Sequence, residues 1–89
     1  MDYKEMKAEY FARYDNAAYS GDTEAENVLN LFRSAEKLSA PAKAEFVKAF
    51  NLEFALDGEM YLGGRKTAEY KYPNLIKEGP SCGIKIVTR

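Results

Sequence analysis

The chain has 89 residues, of which 46% are hydrophobic and 30% charged, with a net charge of −1. Such a balance describes one globular domain over residues 1–89 and excludes a disordered or fibrous chain. With no histidine, no tryptophan and one cysteine, Cys82, the chain cannot build a histidine-dependent nucleophile, a His/Cys zinc centre or an internal disulfide.

Residues 2–19 read as an amphipathic helix. Tyr3, Met6, Tyr10, Tyr14 and Ala17 fall within an arc of roughly 80°. Ser20-Gly21-Asp22 breaks the pattern, and Gly21 suits a left-handed cap. A second helix starts at Asp22 or Thr23. Thr23-Glu24-Ala25-Glu26 matches a capping box, and Val28, Leu31, Phe32, Ala35 and Leu38 form its apolar stripe. The third helix opens at Ser39-Ala40-Pro41, with serine as cap and proline in the first turn. Ala42, Phe46, Val47, Ala49, Phe50 and Phe54 spread over roughly 160°, the width of a helix covered on two sides. Asp57-Gly58 ends it.

After Gly58 the texture shifts to glycine, proline and β-formers. Met60-Tyr61-Leu62, Gly63-Gly64 and Arg65-Lys66-Thr67 read as a hairpin with a two-residue turn. Ala68, Tyr70 and Tyr72 alternate with Glu69 and Lys71, the period of a half-buried strand. The competing reading makes 65–72 a short helix ended by Pro73. Gly79 to Gly83 is a loop by composition, and residues 84–88 are the clearest strand. The expected fold is therefore α+β: three amphipathic helices in a helical segment, 1–57, then a small, mainly antiparallel sheet in 58–89.

Charge divides along the same boundary. Residues 1–57 hold seven Lys/Arg and eleven Asp/Glu, whereas 58–89 hold six and three. A basic C-terminal segment can steer a charged partner or let two copies pair head to tail.

Glu53 is the carboxylate that stands out, because it falls inside the apolar arc of the third helix. Burial there would perturb it in the way that makes a general acid; an ion pair or an outward turn near the helix end would not. Cys82 has no histidine to activate it and suits a small buried hydrophobe. The run Gly58 to Thr67 falls short of a phosphate-binding loop: Lys66 lies three residues after Gly63 instead of one, and a helix precedes the run. Tyr61, Tyr70 and Tyr72 lie among Arg65, Lys66 and Lys71, a mixture that stacks bases and holds phosphates, or fills a sheet–helix interface. Tyr19 points about 140° away from the stripe of the first helix, so it is the candidate exposed aromatic.

No cofactor or metal is implied. No apolar run nears the about 18 residues of a membrane span, and the first residues lack a secretory h-region, so the expected setting is the cytoplasm. The expected function is a non-enzymatic protein-binding module that covers a partner's face. Tyr19, Tyr61, Arg65, Lys66, Tyr70, Lys71 and Tyr72 are its candidate contacts. Small phage or mobile-element inhibitors of host machinery, anti-CRISPR proteins among them, share this size and lack of chemistry. Nucleic-acid binding through the basic, tyrosine-containing C-terminal segment is the alternative.

Overall fold

A computed structural model describes all residues, Met1 to Arg89. Six α-helices precede or flank one small sheet. In chain order these are α1 (Tyr3–Tyr19), α2 (Thr23–Ala35), α3 (Ala40–Ala49), α4 (Leu52–Ala55), β1 (Glu59–Tyr61), α5 (Arg65–Lys71), α6 (Pro73–Glu78) and β2 (Lys85–Val87), with a 3₁₀ turn over Pro80–Cys82. The fold is α+β, mostly helical, with a two-stranded sheet.

The helix starts are set locally. Asp2 accepts from the Glu5 amide and Asp22 from the Ala25 amide, while Ser39 Oγ accepts from Ala42. Asp22 thus takes the cap that the capping-box reading assigned to Thr23, and Glu26 turns instead to Arg33, 2.8 Å away. Gly21 and Gly58 both hold positive φ, at 96° and 78°, as their positions after α1 and α4 require.

Three expectations are corrected. The third helix does not run to Asp57: α3 ends at Ala49, Phe50 and Asn51 are extended, and α4 makes a new turn capped by the Asn51 side chain. The Gly63-Gly64 hairpin is absent. Gly64 is the N-cap of α5, and 65–71 is helical, with Ala68 its buried residue. The sheet is parallel, not antiparallel: Glu59, Met60 and Tyr61 pair with Lys85, Ile86 and Val87. β1 and β2 are joined by α5 and α6, and a crossover of that length with helices is what a parallel pair needs. The strand expected at 84–88 therefore pairs with 59–61.

The core is apolar throughout, with no buried polar or charged residue. Its centre is aromatic. The Phe32 ring of α2 lies 5.3 Å from Phe46 and 5.3 Å from Phe50, and 5.6 Å from Tyr10 of α1. Met60 of β1 and Leu75 of α6 are fully buried in the same cluster.

Two carboxylates lock α3 against α6. Glu45 of α3 accepts from the Leu75 amide and the Asn74 side-chain amide, each at 2.8 Å, at the start of α6. Glu78, at the end of α6, accepts from the Ser39 amide at 2.8 Å and the Ser39 hydroxyl at 2.7 Å, at the start of α3. Each helix of this antiparallel pair caps the other, which supplies partners for backbone donors that helix starts leave free.

These contacts give stability a defined pH window. The Ser39 amide and then its hydroxyl hold the Glu78 carboxyl below its ordinary value. Lys7, and then Tyr3, do the same for Glu36. Both groups favour the folded state fully above about pH 4.3, the unfolded carboxyl value, and that contribution is lost as pH falls through the lower folded values. Tyr3 behaves oppositely. Burial, then Glu36, pushes its hydroxyl upward, so its contribution is complete below about pH 10 and is lost as pH rises further. Urea unfolding followed across pH is expected to show both limbs. Glu78→Gln should flatten the acid limb and Tyr3→Phe the alkaline one; limbs unchanged by these substitutions would refute the assignment.

Candidate functional site

α1 and α3 each carry two faces. The core stripe of α1, with Tyr3, Met6, Tyr10 and Tyr14, packs inward. A second stripe on α1, Lys4, Lys7, Ala8 and Phe11, follows the three- and four-residue helical spacing. α3 repeats the arrangement: Ala42 and Phe46 are buried, while Ala40, Lys43, Ala44, Val47 and Lys48 share another face. These second stripes line an open groove of about 960 Å³ between the two helices. The 160° arc of α3 is thus only partly covered, and Val47 belongs to the groove.

Alanines dominate the floor: Ala8, Ala40 and Ala44 are exposed, beside half-buried Phe11 and Val47. Lysines dominate the rim. Lys4, Lys7, Lys43 and Lys48 line the groove with only Asp2 and Glu36 as counter-charges, so its side chains carry a net of +2 on a chain of net −1. Lys7 is committed, with Nζ 2.9 Å from Glu36 Oε2. The Tyr3 hydroxyl shares its proton between the Phe32 carbonyl, at 2.7 Å, and the same carboxylate oxygen, at 2.9 Å. Lys43 sits 5.2 Å from the centre of the Tyr3 ring, a cation–π distance. Lys4, Lys43 and Lys48 form no ion pair. Asp2 already caps α1 and Ser39 caps α3, so the Glu5 and Ala42 amides are taken by the helices' own caps.

The residues singled out from sequence are placed elsewhere. Tyr19, at the end of α1, is 94% exposed, as its position on the helix requires. Arg65, Lys66, Tyr70 and Lys71 are exposed on α5, where Arg65 lies 3.6 Å from Glu69. No hydrogen bond, ion pair or ring contact joins Tyr19 to this group. Tyr61 is half-buried and stacks on Phe54 at 4.7 Å, and Tyr72 packs against the core. The three tyrosines therefore do not form one platform; only Tyr70 faces solvent. Glu53 is exposed in α4 rather than inside the arc of the third helix, because the break at Phe50 and Asn51 rotates it outward. Cys82 is partly buried against the core. No three Cys, Asp or Glu side chains converge on a metal position, and no helix is long and apolar enough to cross a membrane.

Sequence reasoning missed the groove because it averaged charge along the chain. Four of the seven basic residues in the acidic segment 1–57 gather on one face. The spacing of Lys4 with Lys7 and Ala8, and of Ala40 with Lys43, Ala44 and Val47, was the available signal.

No family model matches the chain, and neither the curated proteins nor the solved structures yield a match.

Proposed function

We propose that this chain is a small protein-binding module, an inhibitor or adaptor that acts by occupying a partner's surface and neither makes nor breaks a bond. The observation that carries this reading is the α1–α3 groove: an uncovered apolar floor bounded by lysines. Apolar patches rimmed by polar groups mark interaction faces. The absence of histidine leaves few groups for acid–base work near neutral pH, and covering a surface requires none. Inhibition of host machinery by a phage or mobile-element protein, in the anti-CRISPR manner, is the setting that this mode suits.

Affinity capture with the tagged protein, read by mass spectrometry, is expected to return a protein partner. Ala44→Arg places a long charged side chain across the floor and should abolish that capture while the circular dichroism spectrum and melting temperature stay unchanged. Equal capture by Ala44→Arg and wild type would remove the groove from the reading. A Tyr19→Ala, Arg65→Ala, Lys66→Ala variant reports on the other exposed residues; loss of capture there alone would move the interface to them.

The exposed basic residues of α5, with Tyr70 87% exposed beside them, favour a second reading, nucleic-acid binding. It requires DNA or RNA affinity that falls linearly with log salt. The acidic isoelectric point, about 5.5, weighs against it.

A further inference from the structure

We propose that the occupant of the α1–α3 groove is a short amphipathic α-helix of a partner, apolar on the face that meets the floor and acidic along both flanks. This rests on the protein-binding reading and specifies the partner's chemistry.

Three observations carry it. The first is shape. Ala8, Ala40 and Ala44 remove side-chain bulk from the space between two helices. Small residues at a contact let a third helix axis approach to the short end of the usual range, roughly 8 Å. The second is length. Lys4 to Phe11 on α1 and Ala40 to Lys48 on α3 each span about 10–12 Å at 1.5 Å per residue, which is about two helical turns. Anchors at i, i+3, i+4 and i+7 of a guest helix cover that distance.

The third is charge. Lys4 and Lys7 stand on one wall and Lys43 and Lys48 on the other, and three of the four form no ion pair. Carboxylates on both flanks of a guest helix would face both rows. The groove is poorly built for a compact phosphate. It contains no arginine fork, and both helix starts are already capped by Asp2 and Ser39. Lysine is a flexible, hydrated point charge, suited to carboxylates spread along a peptide more than to one fixed anion.

The test is fluorescence anisotropy of the full chain against three labelled synthetic peptides. One is a 16-residue helix-forming peptide with Leu and Phe at i, i+3, i+4 and i+7 and Glu on the flanks, a length of about four turns. The second has the same composition in scrambled order, and the third carries Lys in place of Glu. Saturable micromolar binding of the acidic helix is expected, with the scrambled and basic peptides at least about tenfold weaker. Ala44→Arg should abolish binding. The double variant Lys4→Glu, Lys48→Glu should weaken it at least about tenfold and bring the basic helix to the groove, because like charges facing one another oppose association. Equal binding of scrambled and ordered peptides would reduce the effect to bulk charge and overturn the proposal. So would affinity indifferent to both variants, or no binding of the acidic helix. If the peptide fails while Ala44→Arg still abolishes capture of a protein partner, the helical occupant is wrong and the protein-binding reading stands. Loss of neither would overturn the helical occupant and remove the groove from the protein-binding reading.

Discussion

Phe32→Ala is expected to lower the unfolding free energy by about 3–5 kcal/mol, the range for emptying a buried aromatic site. Phe32 is fully buried, and its ring contacts Tyr3 and Tyr10 of α1, Phe46 of α3 and Phe50 beyond it, with centroids 5.3–6.1 Å away. Phe32 thus ties α1, α2 and α3 together, with Phe46, 5.9 Å from Tyr3, beside it. α1 contributes no fully buried residue of its own, so its docking depends on half-buried tyrosines closing over that ring. An 89-residue domain has about 4–13 kcal/mol in total, so the substitution removes a large share. At about 4–8 °C per kcal/mol for domains of this size, the melting temperature should fall by more than about 12 °C. Urea unfolding monitored by circular dichroism measures it. Tyr19→Ala and Tyr70→Ala, at exposed positions, should stay within about 0.5 kcal/mol. A Phe32→Ala loss as small as theirs would mean that the three helices do not meet on that ring.

The second large effect is expected from Glu45→Ala, at about 1.5–3 kcal/mol, the range for hydrogen bonds to a charged group. Glu45 holds two donors at the start of α6. That helix has six residues, far below the length that persists in water without packing. Removing Glu45 leaves the Leu75 amide unpaired in a half-buried position, and the loss should spread in a defined direction. Gly79, which follows α6, accepts from the Cys82 and Ile84 amides just before β2. Hydrogen exchange should therefore accelerate first from Leu75 to Ile84, while the amides of α2 stay protected. Wild-type protection at Leu75 in the variant would show that α6 is held by burial of its side chains alone.

The same contacts explain which parts of the molecule could be read along the chain. α1 and α2 announce themselves, since three or more turns let an apolar stripe repeat, and Asp2, Asp22, Gly21 and Gly58 act through neighbours within four residues. The burial of Val28, Phe32, Ala35, Phe46 and the exposure of Tyr19 follow from the same periodicity. α5 and α6 do not announce themselves. Seven and six residues hold too few turns to separate helix from strand, and the alternation of Ala68, Tyr70 and Tyr72 imitates a strand although Tyr70 lies in solvent. Their helical state is settled by Ala68 and Leu75 docking in the core and by Glu45 reaching across from α3. That choice in turn makes the connection between Tyr61 and Lys85 a crossover and the sheet parallel. The groove is the extreme case. Lys4 and Lys48 are separated by most of the helical segment, so no window along the chain contains both; packing of α1 and α3 about Phe32 and Phe46 is what sets their lysines on opposite walls of one apolar strip. Local spacing can specify a helix and its inward face, because those depend on neighbours a few residues away. Where two outward faces converge depends on contacts between distant segments, and only the packed chain contains that information.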